Sequence, residues 1–495
     1  MAIGELILIA ISEENLYLSN KPTITFFKSV YKKYSNFAIE TIPQYFKLKP
    51  NFGKKVTSEI SKNSDLLSKI RIQIEIPSLP LSNHSSLPNN VKKIKWVDKI
   101  GLAIISYVDL EIGGIILARE YGEWLNIWYD LTNPYETKKI FDKMIGNVEE
   151  LTNYTNGKKK YYLNIPLNFW FCRDYGLSLP ILSLKKHNIK IHIKFNNFEN
   201  CVKESPTHYF ETTDYICLYR ENEIISQEVK GEIYKGRFVY FDVTNRRIYY
   251  DKILGNFQIP ETNNNIYKIT GEISKFEITP KTNSLIIKDE SYFYLGNPII
   301  EHSFLLVDYI FLDSSEKKKF LKNDKIEYLI EEERFITSQN IYSNNYNYKI
   351  PLVNPVKNIY WRAILINNFN LNDKFNYTTY PLTKNKDNIL EKHNIIINSI
   401  KLIENDAWEN YYYLQNYKSK NSTSQKGIYN YSFAINPLKY EPSGSLNFSK
   451  INDAYLKLTM NSNIDYKNPA NIVLFSLQYN IFCIYNGMGG LKYEI

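Results

Sequence analysis

Several stretches of the chain alternate apolar and polar residues with a period of two. Ile70, Ile72, Ile74 and Ile76 alternate with Arg71, Gln73 and Glu75, and Ile189, Ile191, Ile193 and Phe195 with Lys190, His192 and Lys194. Successive side chains of an extended chain point to opposite faces, so each stretch reads as a strand with one buried and one wet face. The most informative stretch is Gly101–Thr132. Leu102, Ile104, Val108, Leu110 and Ile112 fall on one side, with Asp109 and Glu111 opposite, which predicts a strand over 102–112. Gly113-Gly114 tolerates positive φ at both positions and suits a two-residue hairpin, with Ile115–Ala118 returning. From Tyr121 the period changes: Tyr121, Trp124, Leu125, Trp128 and Leu131 recur at three and four, so a short amphipathic helix follows. Leu305–Leu312 is apolar at nearly every position, as expected of a strand in the centre of a core. Phe238–Val243 and Ile248–Leu254 flank Thr244–Arg247 as a hairpin, and Ile395–Ile403 reads as one strand. Pro77, Pro80 and Ser82–Asn90 form a loop.

Composition narrows this picture without supplying chemistry. A chain of 495 residues has room for about three domains of roughly 150 residues, or for two large all-β ones. Its 42 tyrosines and 26 phenylalanines favour strands. The net charge of +9 is scattered, and its densest runs, Lys158–Lys160 and Lys317–Lys319, are too short for a nucleic-acid footprint. Cys172, Cys201, Cys217 and Cys483 show no CxxC spacing, and four cysteines in so long a chain read as reduced thiols of a cytosolic setting. The apolar run Leu6–Ile11 is too short to span a bilayer, lacks a basic flank and follows Glu5, so it predicts neither a signal peptide nor a transmembrane helix.

Gly487-Met488-Gly489-Gly490 lacks the following helix that a phosphate loop requires. The histidines are His84, His187, His192, His208, His302 and His393. His187 and His192, five apart, would face opposite sides of one strand and share no metal. Glu331–Glu333 invites an acid–base pair, but three adjacent carboxylates near many lysines read as a solvated bridge. Trp124 and Trp128 suit core packing better than a stacking platform. Asn83, Asn153, Asn376, Asn421 and Asn447 satisfy N-x-S/T, a weak signal without secretion. We therefore predict no catalytic, cofactor-binding or metal-ligating residue.

The run Glu111–Thr132, EIGGIILAREYGEWLNIWYDLT, resembles the corresponding run of the major capsid proteins of nucleocytoplasmic large DNA viruses, where a strand ends in Glu-Ile-Gly-Gly and a helix opens on Tyr-Gly-Glu-Trp-Leu. Further blocks resemble the family in its order. Pro22, Ile24, Thr25, Phe26, Phe27, Lys28, Tyr31, Asn36, Phe37, Ala38 and Glu40 match its entry segment, read physically as an aromatic stretch entering a core. Pro166, Phe169, Trp170, Phe171, Arg173, Gly176, Leu177, Leu179, Pro180, Leu184, His187, Ile191 and Phe195 match a second block. His302–Phe320 with Glu327–Phe335, Asn354–Trp361, Lys426–Met460 and Tyr479–Ile495 follow. Where the family often places Asn-Gly after a strand, this chain has Glu404-Asn405-Asp406. Residues 201–298 have no counterpart in the compact pattern and read as an insertion in a loop of the first domain.

The resemblance implies an all-β fold of two tandem eight-stranded jelly rolls, a double jelly roll, with the large loop insertion in the first. The expected division is an N-terminal arm (1–20), a first jelly roll (21–325, insertion about 201–298) and a second (326–495), with Glu316–Phe335 as the bridge. The implied function is structural: a homotrimer with a pseudo-hexagonal outline, tiling an icosahedral capsid with neighbouring capsomers and minor capsid proteins. It implies no cofactor, no enzymatic activity and no specific nucleic acid. Virion localisation, assembly in host cytoplasm and indirect contact with an inner viral membrane complete the expectation. The alternatives are a minor capsid paralogue or transient scaffold of the same fold, and, from another class, a glycan-binding or glycan-processing jelly roll, for which no carboxylate cluster or sugar platform is evident.

Overall fold

A computed structural model describes residues 3, 5, 9 and 19–493, apart from 30, 80–93, 156, 205–207, 262–266, 283, 285, 289–297, 384–385, 423 and the side chain of Gln339. The loop Ser82–Asn90, with Asn83 and His84, and nearly all of the arm 1–20 lie outside the described residues. Eight strands build a first sandwich: β1 (Phe37–Tyr45), β2 (Lys55–Glu59), β3 (Leu66–Ile76), β4 (Ile105–Ile112), β5 (Ile115–Tyr121), β6 (Tyr161–Pro166), β7 (Ile189–Phe195) and β8 (His302–Leu312). They form two four-stranded antiparallel sheets, ordered β1-β8-β3-β6 and β2-β7-β4-β5. Eight more build a second: β9 (Lys325–Ile341), β10 (Asn345–Lys349), β11 (Pro355–Leu365), β12 (Leu390–Ile397), β13 (Ile400–Lys401), β14 (Ile428–Ser432), β15 (Ala454–Met460) and β16 (Ala470–Tyr485). Their sheets run β9-β16-β11-β14 and β10-β15-β12-β13, and Leu446–Asn447 and Met488–Leu491 extend the first of these. Adding eight to each strand number of the first sandwich gives the second, so one jelly-roll connectivity occurs twice.

The alternating segments behave as their pattern dictates. In β7, Ile189, Ile191, Ile193 and Phe195 are buried, with Lys190, His192 and Lys194 half-exposed between them. The hairpin forms at Gly113 and Gly114, at φ 64° and 90°, with Ile112 opposite Ile115. A side chain at Gly113 would collide with the His187 ring at 2.2 Å. The strand before it is shorter than predicted. Ile100–Ala103 is a helical turn, and Asp109, expected on the wet face, is fully buried against Arg119. The stretch 395–403 is not one strand: Asn398 and Ser399, both at positive φ, turn β12 back into β13. β8 is central in its sheet, as expected, but its burial alternates. The strands buried on both faces are β11 and β16, because one face meets the partner sheet and the other meets the first sandwich.

The insertion leaves the first sandwich between β7 and β8. Val202–Glu204 pairs with Ile94–Trp96, and among the described residues seven strands between His208 and Lys288 form one sheet. That sheet has its own core of Phe210, Tyr219, Ile225, Phe238, Ile248, Tyr250, Phe257, Ile269 and Ile278. The predicted hairpin lies within it as Glu232–Asp242 and Arg247–Leu254. Tyr154 of the first sandwich stacks on Tyr240, which stacks on Tyr249, and this ladder seats the inserted sheet. Glu327–Phe335 is no bridge. It lies wholly within β9, the first strand of the second sandwich, and the connection is the short helix Ser314–Lys322.

Candidate functional site

The two sandwiches meet along α1 (Gly122–Thr132), the helix predicted after the hairpin. Gly122 sits so close to the preceding turn that a Cβ there would lie 2.2 Å from the Leu102 carbonyl oxygen and 2.5 Å from that of Ile105. This contact holds the start of α1 against the first sandwich, where Leu125 joins that core, while the helix's other face meets the second. Trp124, Ile127 and Leu131 pack with Tyr360 and Ile364 of β11, Ile428 of β14, and Val473, Phe475 and Leu477 of β16. The Trp124 ring lies 5.2 Å from Phe475 and 5.4 Å from Tyr360. Each such side chain contributes about 1.5–3 kcal/mol by burial. Trp124 and Trp128 therefore belong to a core, as the pattern suggested, and that core joins two bodies.

A charged cluster crosses the same junction. Arg173, on the loop after β6, donates to Glu331 Oε2 at 2.8 Å and Glu333 Oε1 at 3.0 Å, both on β9, and stacks over Trp128. Lys357 of β11 pairs with the other oxygen of Glu331. Glu120 of β5, fully buried, accepts from the Asn168 N–H at 3.0 Å. Farther along, Arg362 of β11 pairs with Glu123 of α1. The carboxylates Glu331–Glu333 are thus not a solvated bridge: Glu331 and Glu333 point into the junction, and Glu332 is buried on the opposite face against Asn480. Strand alternation separates the three, which a count of adjacent acids does not reveal. Burial raises the pKa of Glu120 and Glu333, and their mutual repulsion adds to the rise at Glu333.

The other sequence candidates stand apart from this junction. His187 lies against the Gly489 backbone, whereas His192 sits between Thr57 and Glu111. Met488–Leu491 pairs with β16, and the Gly487 carbonyl accepts from the Lys186 N–H, so the Gly-Met-Gly-Gly run ties the chain's end to the first sandwich. His393 is buried, accepts from the Trp361 indole at 2.9 Å, and is pushed down to about 3 by that burial. Among the described residues no three His, Cys, Asp or Glu side chains stand together as metal ligands. A cavity of about 380 Å³ opens beside Arg173, walled by Trp128, Tyr129, Trp170 and Tyr440, with the arginine's donors already engaged by protein.

The outer surface carries the unsatisfied apolar area. The entry segment does not enter a core: Phe26 and Phe27 are 90% and 97% exposed, and Tyr31 and Tyr34 are nearly as open. It continues into β1, an edge strand whose Phe37, Ile39 and Tyr45 are exposed beside half-exposed Phe304 and Leu306 of β8. Lys21, Lys28, Lys32 and Lys33 lie along the segment with no acid before Glu40. The helix Tyr135–Met144 buries none of its residues and exposes Tyr135 and Ile140. The entry segment and β1, where Tyr34 meets Phe37 and Tyr45 meets Phe304, carry exposed apolar area of the sort that another molecule covers.

Residues 25–221 match the model of the major capsid protein N-terminus, and residues 316–490 match that of the large eukaryotic DNA virus major capsid protein. Most of the inserted sheet lies between the two matches. The chain is 32% identical to probable capsid protein 4 of Acanthamoeba polyphaga mimivirus over 100% of its own length and 99% of that protein's. It is 26% identical to the major capsid protein of Phaeocystis pouchetii virus, with 100% of both chains covered. Among solved structures, the Faustovirus major capsid protein superposes with a TM-score of 0.67 at 13% identity, covering 95% of this chain and 94% of that one. The PBCV-1 virus capsid protein gives 0.65 at 21% identity, covering 95% and 100%. With its two sandwiches of one connectivity and its end-to-end likeness to these proteins, the chain belongs to the family of major capsid proteins of large eukaryotic DNA viruses.

Proposed function

We propose that this chain is the repeating subunit of an icosahedral shell, assembling as a homotrimer whose three double sandwiches give a pseudo-hexagonal outline. The observation that carries the reading is the doubled connectivity. Two sandwiches of one topology, fixed side by side by α1, give three copies six similar corners, and a ring closed by cyclic symmetry presents them for lateral packing. The exposed strip of the entry segment, β1 and β8 supplies apolar area for association between copies. On this reading residues 1–20 act as an arm, and the chain divides near residue 325 into a first jelly roll (21–325) and a second (326–495). The partners are further capsomers and minor capsid proteins. The working mechanism is association, without a cofactor, a catalytic step or specific nucleic acid, and assembly takes place in host cytoplasm, with contact to an inner viral membrane only indirect.

The solution mass of the full recombinant chain, with negative-stain images, tests this. The expected particle has three times the 58.4 kDa chain mass and a hexagonal outline. Removing residues 21–36 should shift it toward smaller species while each chain still unfolds cooperatively. A strict monomer at high concentration overturns the reading. A second reading, a minor shell component of the same fold, is favoured by the names of two relatives in one virus, probable capsid protein 4 and capsid protein 1 of mimivirus. Copy number in purified particles separates the two: a dominant band supports the major component, a trace band the minor one.

A further inference from the structure

We propose that the junction between the two sandwiches is a proton-binding site, one proton being shared by Glu120 and Glu333, and that loss of this proton in alkaline solution weakens the hold of one sandwich on the other. Geometry and charge counting lead there. Three carboxylates face the cluster, Glu120 from β5 and Glu331 and Glu333 from β9, against two cations, Arg173 from the loop after β6 and Lys357 from β11. With every group ionised the cluster carries one uncompensated negative charge.

Among the described residues, Asp174 and Lys439 line the cavity beside Arg173 and Glu331, one charge of each sign, so they leave the count unchanged. Tyr129, Trp124 and Trp128 face it from α1, and Cys172 from the Arg173 loop. Tyr360 faces it from β11, and Tyr440 and Tyr479 stand near Glu331. Glu120 Oε1 and Glu333 Oε2 are both buried without a donor in good hydrogen-bonding geometry. The Trp124 indole N–H, itself without a formal partner, also faces Glu333 and favours its ionised form.

A buried, unpaired carboxylate is costly, and a single proton removes the excess charge and supplies a donor. Neither carboxyl alone owns it, because Glu120 and Glu333 stand on either side of Arg173 and each feels the other's charge, so they titrate as a pair. Burial pushes Glu120 up to about 7, and burial together with the charge of Glu120 raises Glu333 well above the ordinary carboxylate range. The folded chain then holds a proton that the unfolded chain has already released. Stability accordingly falls as pH rises from the ordinary carboxylate range through neutrality.

The experiment is thermal unfolding of the full chain from about pH 5 to about pH 9, wild type against E120Q, with tryptophan fluorescence as readout, since Trp124, Trp128 and Trp170 line the junction. The glutamine keeps an acceptor for the Asn168 N–H, gains a donor for Glu333 and has no proton to lose. Wild type should lose roughly tenfold in its folding constant per pH unit within the window, relative to E120Q. The variant should be the more stable protein at the alkaline end. Parallel curves overturn the proposal. Should E120Q fail to fold, infrared spectra of the wild type decide instead. A buried carboxylic-acid carbonyl band near neutral pH that disappears on alkaline titration supports the site, and its absence at neutral pH overturns it.

Discussion

At the scale of single residues, Arg173 holds more of this molecule together than any surface ion pair. It reaches two buried carboxylates on the other sandwich and stacks on Trp128 at once. Replacing it by methionine keeps much of the volume but leaves Glu331 with Lys357 alone and Glu333 with no cation. Arg173→Met should cost about 3–5 kcal/mol, read as a drop in denaturant midpoint. By contrast Lys47–Glu59, an exposed pair, should be nearly silent on removal. His393 makes the opposite contribution to acid behaviour. It is held neutral well below the ordinary imidazole range, so the unfolded chain takes up a proton that the folded chain refuses. Stability tied to it is intact above the ordinary value and is lost as pH falls toward about 3. His393→Gln, which retains an acceptor for the Trp361 indole, should flatten the acid limb of the stability curve. An unchanged limb would show that other groups set it.

At the scale of elements, α1 makes one connectivity repeated twice into one rigid subunit. Its apolar spacing was legible as a helix with a buried stripe. The target of that stripe was not, because a helix moment gives a face and never names what lies opposite. The glycine before Glu123 fits the same element: Gly122→Ala forces a methyl against two carbonyl oxygens and should cost about 1–3 kcal/mol. The loss should appear as early exposure of Trp124 to a fluorescence quencher, ahead of global unfolding. The turn at Asn398-Ser399 was missed for a related reason. The eye follows the isoleucines through 395–403, whereas the turn is set by two residues that adopt positive φ, an unusual choice outside glycine. The entry segment shows the converse: its aromatic composition suits a core, but the fold within one chain leaves those rings in water.

At the scale of the whole molecule, the inserted sheet is an addition with a core of its own. A chain in which residues 208–298 are replaced by a short Gly/Ser linker, sparing Ile300 of the first sandwich's core, should therefore retain both sandwiches. Its denaturant midpoint should change little, since loop closure varies only slowly with loop length. Collapse of the whole chain would instead show that the Tyr154–Tyr240 stack is needed by the first sandwich. By itself the sequence determined the strand class, the Gly113-Gly114 hairpin, the amphipathic helix that follows it from about Tyr121, the existence of the insertion and, through its ordered blocks, the family. These rest on periodicity and on local backbone freedom, which neighbouring residues settle among themselves. Only the tertiary structure decided that the two halves share one connectivity, that Glu331 and Glu333 turn inward onto Arg173, and that β11 and β16 are buried on both faces. Those outcomes depend on residues far apart in the chain, Glu120 with Glu333 and Trp124 with Phe475 among them, which meet only when the second sandwich closes over α1.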